Sequence, residues 1–189
     1  MTNSPDSRMN AVLSFWFGPN PASARPQWFK TDPAFDRAIA QLFGTDYEQA
    51  RAGKLAAWEQ SAPGALALTI LLDQFSRNMF RKTARAFESD ALALRVAQQA
   101  IAGGFDQKVT PVQRMFFYLP FEHSESLADQ ERSLALVKVL NDARSLDYAE
   151  QHAAIIRRFG RFPHRNAVLG RQSTPEEIAY LKATPPSFG

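Results

Sequence analysis

"PGALALTILLDQFSRNMFR", residues 63–81, is apolar around most of its circumference in its first half and polar along one sector in its second. A run of this length, with apolar residues at helical spacing and no strand-like alternation, reads as the central helix of a helical protein. At about 100° per residue, with Asp73 set to zero, Arg77 falls near ~40°, Arg81 near ~80°, Gln74 near ~100° and Asn78 near ~140°. Asp73 and Arg77, Gln74 and Asn78, and Arg77 and Arg81 are each four residues apart, so an acid, two guanidiniums and two amides form a ladder. On a solvated face such a ladder adds roughly a few tenths of a kcal/mol. It becomes a site only where other segments bring matching groups.

The flanking sequence repeats the helical reading. "DPAFDRAIAQLFG" offers Asp32 as N-cap, Pro33 at the first helical position, apolar Phe35, Ile39, Leu42 and Phe43 on one side, and Gly44 as a stop. "TPVQRMFFYLPFEHSE" starts on Thr110, Pro111 and Gln113, the pattern of a capping box, and is interrupted at Pro120. "STPEEIAYL" repeats the box with Thr174, Pro175 and Glu177. Further helices are predicted over 9–17, 45–60, 63–81, 89–102, 125–143 and 146–159, and strand signals are missing. The fold class is therefore all-α, within one domain over residues 1–189. Short connections predict antiparallel helix hairpins, arranged as a bundle or a short solenoid; no repeat of fixed period chooses between them. "GPNPASARPQWF" is the one extended connection, and its aromatic end is expected to pack onto the body.

Apolar residues make up 45% and charged residues 22% of the 189, which places the chain with packed globular proteins and not with disordered ones. Cysteine is absent, which removes disulfides, thiolate metal sites and cysteine nucleophiles, and fits a cytoplasmic location. "MTNSPDSRMN" lacks the basic and apolar regions of a secretory signal, and no apolar run is long enough to span a membrane. The net charge is only +3, yet 16 of the 22 basic residues are arginine, the side chain whose planar fork suits carboxylates and phosphates.

Those arginines cluster. From Gln151 to Pro175 there is no acid, while Arg157, Arg158, Arg161, Arg165 and Arg171 gather beside His152 and His164. Glycines and prolines bend "RFGRFPHRNAVLGR", residues 158–171, so that Phe159, Phe162, Val168 and Leu169 can anchor inward. Arg161, His164, Arg165 and Asn166 are then left to be satisfied by distant acids such as Asp73, Glu122 or Glu125, or by a ligand. "LPFEHSE" places Glu122, His123, Ser124 and Glu125 after a proline, where side chains can converge on a cleft.

Other chemistries find no motif. There is no HExxH, HxxxH or EF-hand loop, no GxSxG elbow, no P-loop and no GxGxxG, so neither a metal nor a cofactor is expected. The arginine content permits nucleic-acid binding, but no recognition motif accompanies it.

"LDQFSRN", "AFESD", "YLPFEHSE" and "RFGRFPHRNAVLGRQSTPEE", in this order and following "FWFG" and "WF", resemble the bacterial family of unknown function DUF924 over nearly the whole chain. Ser76 stands where that family usually has proline, a change expected to leave the helix straighter. The resemblance implies an all-helical, tetratricopeptide-like superhelix and no particular activity.

Two functions compete. In the first, helical layers enclose a pocket for a small anionic ligand. Arg77, Arg161 and Arg165 bind carboxylate or phosphate oxygens, Asn78 and Asn166 orient the ligand, His123 or His164 transfers a proton, and Asp73, Arg81 and Glu125 complete the wall. In the second, a concave solenoid face binds an acidic peptide. A third reading leaves the polar segments paired with one another, fixing helix packing.

Overall fold

The computed structural model describes residues 5–183, and among them there is no strand. Helix α1 spans Pro5–Phe17, α2 Pro33–Arg51 and α3 Ala62–Thr69. The chain continues from α3 through a π-helix, Ile70–Phe75, into a single α turn, α4, Ser76–Met79. Then follow α5 Asp90–Ala102, α6 Pro111–Glu122, α7 Leu127–Lys138, α8 Ala143–Phe159 and α9 Pro175–Ala183.

The caps fall where the side chains require them. Asp32 accepts from the amides of Ala34 and Phe35 at the start of α2. Thr110 and Gln113 close a reciprocal box on α6. At α9, Glu177 accepts from the Thr174 amide while its own amide donates to the Thr174 hydroxyl. Each cap satisfies donors that the helix itself leaves open, a contribution of about 1 kcal/mol.

Gly44 does not stop α2. The buried stripe of Ile39 and Phe43 continues through Asp46, Tyr47 and Ala50, and this packing outweighs the roughly 1 kcal/mol disadvantage of an internal glycine. The stop is Gly53, whose φ of +72° lies in the left-handed region. Of the expected helix 45–60, the first part therefore belongs to α2 and the last is a 3-10 turn, Ala56–Gln60. Pro120 does not interrupt α6 either; the helix runs on to Glu122 and forgoes the one bond that an N–H at 120 would have made to the Phe116 carbonyl.

The core joins α1, α2, α3, the π segment, α5, α6, α7 and, through Ala149, α8. An aromatic cluster ties the first of these together: Phe75 lies 5.1 Å from Phe43 and 5.5 Å from Trp16, ring to ring, and Trp16 meets Phe116 at 5.7 Å. The extended connection packs onto this cluster, with Trp28 4.9 Å from Phe116 and its indole N–H donating to the Trp16 carbonyl. Gly64 allows α3 to approach the preceding turn, since a Cβ there would stand 2.2 Å from the Trp58 carbonyl oxygen. Successive helices α5, α6, α7 and α8 pack each on the next.

Candidate functional site

The π segment positions Asp73. Its widened turn leaves carbonyls of the central helix to other donors: the Ser76 hydroxyl reaches the carbonyls of Leu72 and Asp73, the Ser89 hydroxyl donates to Leu72, and Arg77 Nη1 donates to Asp73. Ser76 thus does not straighten the helix; its hydroxyl supports an irregular one. Departures of this kind from the α pattern are frequent at functional sites.

The ladder expected along one face is divided between two neighbours. Asn78 and Arg81 turn to Asp36 in the first turn of α2, with Arg81 forming a forked pair and Asn78 donating at 2.7 Å. Arg77 instead forks onto Asp90, at the start of α5, at 2.8 and 3.0 Å, and reaches Asp73 Oδ1 at 3.1 Å. Gln74 donates to the other oxygen of Asp73.

Asp73 is 1% exposed and takes a 2.7 Å hydrogen bond from His123 Nδ1. An ionised carboxylate only accepts, so the imidazole proton sits on Nδ1 and the lone pair on Nε2. Burial disfavours the Asp73 charge, but His123 and Arg77 outweigh it and hold the carboxyl well below the usual range. Burial and then Arg77 push His123 down against the pull of Asp73, so the ring is neutral at neutral pH. Its side chain remains 15% exposed.

Behind His123 lies a second pair, Glu122 and His152, 3.1 Å apart, with His152 Nδ1 also 2.8 Å from the Tyr148 carbonyl. Burial, with help from Asp73, raises Glu122 to about 8; burial lowers His152 to about 3. At neutral pH this is a carboxylic acid beside a neutral imidazole, whose Nδ1–H donates to the Tyr148 carbonyl. The His123 and His152 rings are 6.3 Å apart, and His152 packs edge-on to Phe162.

Phe162 belongs to the arginine-rich segment, and three arginines of that segment meet different fates. Arg161 forks onto Glu177 at 2.7 and 2.8 Å and donates to the Gln172 carbonyl. Arg171 forks onto Glu125 at 2.6 and 2.9 Å, while Glu125 also accepts from the Phe162 amide. Asn166 joins the first of these networks through Ser173 and Glu177. His164 lies 5.6 Å from Phe162, ring to ring, and burial lowers it to about 4.

Arg165 differs. It is 6% exposed, and among the described residues its one hydrogen bond goes from Nη1 to Asp90 at 3.4 Å and its buried Nε has no partner. The rings of Phe87 and Phe162 flank it at 4.6 and 4.5 Å. Burial and then Arg77 lower it to about 10, so it stays charged at neutral pH.

Of the residues expected at the site, Asp73, Arg77, His123 and Arg165 thus meet around Asp90, with Glu125 reaching the same region through Arg171 and Phe162. Asn78 and Arg81 stand with Asp36, and Arg161 and Asn166 with Glu177. Sequence reading missed Asp90 and Asp36 as the carboxylates that organise these groups. Asp90 closes the quoted "AFESD", and Asp36 is hidden by its position in a helical first turn, where an acid is already favourable. An open cavity of about 320 Å³, lined by Gln98, Ile101, Ala102, Phe121, Asp129 and Arg132, contains none of the expected residues. Among the described residues no group of three or more His, Asp or Glu side chains could hold a metal ion, and no helix is long and apolar enough to cross a membrane.

The described residues thus form an all-helical body carrying a buried Asp–His pair, with two arginines sharing one aspartate beside it. The profile of the bacterial proteins of unknown function DUF924 matches residues 12–185, and the chain belongs to that family. It is similar to a solved protein of unknown function from Agrobacterium tumefaciens, 41% identical, with a TM-score of 0.89 over 96% of this chain and 100% of that one. A comparison with curated proteins gives no match.

Proposed function

We propose that the cluster around Asp90 binds a small anionic ligand, with Arg165 as its anchor, Arg77 as the second guanidinium and His123 as the group that exchanges a proton with it. The observation that carries this reading is the state of Arg165. A guanidinium has five N–H groups, and here a buried one uses a single long bond. Leaving a charge so poorly satisfied costs several kcal/mol unless something else meets it. An anion in the plane of the fork supplies that partner. The other arginines at 81, 161 and 171 are held by the chain's own carboxylates, which favours a small ligand at one point over an acidic peptide spread along a row of free guanidiniums.

His123 is suited to proton transfer because Asp73 fixes its tautomer and stabilises the imidazolium. Thermal unfolding of wild type and Arg165→Met against carboxylates, phosphates, nucleotides and sugar phosphates tests the proposal. At a hundredfold excess over Kd a ligand stabilises by about 2.7 kcal/mol. The expected result is a raised Tm in wild type and none in the variant. An equal response in both, or no response to any anion, rejects it.

A further inference from the structure

Resting on that reading, we infer that the ligand is a small monocarboxylate, and that it enters together with one proton, which comes to rest on His123 Nε2.

The first support is the sum of charge. Arg77 pairs with both Asp73 and Asp90, Arg165 with Asp90, and Arg171 with Glu125. Three carboxylates therefore face three guanidiniums, and the cluster is neutral when empty. A monoanion leaves it one charge negative, and a proton taken up with the monoanion restores neutrality. A dianion such as a phosphate monoester would still leave an excess negative charge beside buried carboxylates, where like charges repel strongly.

The second support is where the proton can go. From the π segment Asp73 faces His123, and from α4 and α5 Arg77 and Asp90 do; Glu122 and His152 lie behind it on α6 and α8, and Arg165 and His164 of the arginine-rich segment act on His152 in turn. Glu122 already holds its proton at neutral pH. His152 is more deeply buried, with Nδ1–H committed to the Tyr148 carbonyl and the Glu122 carboxyl 3.1 Å away. His123 combines an exposed edge, an unprotonated Nε2 and a buried carboxylate on the other nitrogen. A negative ligand removes the disadvantage that burial and Arg77 impose on its charged form.

The third support is shape. Phe87 and Phe162 flank the Arg165 guanidinium. A flat carboxylate can lie in the guanidinium plane with paired hydrogen bonds, whereas a tetrahedral phosphate carries oxygens out of that plane toward the rings.

Acetate and formate are the probes, with inorganic phosphate and sulfate at matched ionic strength as competitors. Titration calorimetry in buffers of different ionisation heat counts the protons taken up, and long-range ¹H–¹⁵N spectra of the imidazoles report their protonation. The expected result is uptake of about one proton per acetate, with His123 Nε2 becoming protonated. Affinity then falls about tenfold per pH unit between the free and bound pKa of His123 and is flat outside that window. His123→Gln, whose amide can still donate to Asp73, should bind acetate without proton uptake. Phosphate or sulfate binding more tightly than acetate near pH ~7, or acetate binding with no uptake, overturns the inference while leaving the anion site standing. No Arg165-dependent response to any of the four rejects the underlying reading itself.

Discussion

A buried guanidinium with one long hydrogen bond is expensive to keep, and Arg165 is such a group. Methionine would retain contact with Phe87 and Phe162 and remove the charge. Asp90 would keep its forked bond from Arg77. Replacing poorly satisfied buried charges by apolar side chains is often neutral or stabilising. Arg165→Met is therefore expected to raise the stability of the ligand-free protein by about 1 kcal/mol, or about 2–4 °C in Tm. Arg77→Met should do the opposite, because it strips Asp90 of its forked partner and buried Asp73 of a guanidinium. Urea unfolding of the two variants checks both signs. A residue whose removal stabilises the empty protein is one retained for something other than folding.

Among the elements, α6 matters most because it ends on Glu122 and is capped by His123. Burial and Asp73 raise Glu122 to about 8, against about 4.3 in an unfolded chain. Between these values the folded protein keeps a proton that the unfolded chain releases, so the stability present below about pH 4 declines as pH rises toward about 8. Glu122→Gln holds a neutral side chain at every pH and should not show that decline. Chemical denaturation at about pH 5 and about pH 8 should find the two proteins closer at the lower value and the variant ahead at the higher. His152 acts in the other direction: its folded value of about 3 means stability present above about 6.5 is lost as pH falls. The two opposite slopes cancel where they overlap, between about pH 4 and about pH 6.5, and stability is greatest there.

For the whole molecule, the aromatic cluster around Phe75 joins α1, α2 and the π segment in one core. Phe75→Ala should cost about 3–5 kcal/mol, read from urea unfolding, and tryptophan fluorescence and far-ultraviolet circular dichroism should report one coincident transition if residues 1–189 fold as one domain. The all-helical class, the capping boxes at Thr110 and Thr174, and the bent path of the arginine-rich segment follow from local rules: spacing along one helix, a cap three residues before its partner, the turn at Gly160 and Pro163. Such rules act within a few residues, so they are readable in the order of the amino acids. The stop at Gly44 failed because the stripe of Asp46, Tyr47 and Ala50 had somewhere to pack. The π turn at Ile70–Phe75 and the division of the 73–81 ladder between Asp90 and Asp36 depend on α5 and α2, which approach from other parts of the chain. So does the contrast between Arg161, Arg165 and Arg171, three similar residues in one short segment. Sequence supplied the charges, but only the packing of distant helices decided which of them found a counter-charge, because electrostatic pairing depends on distance in space and not along the chain.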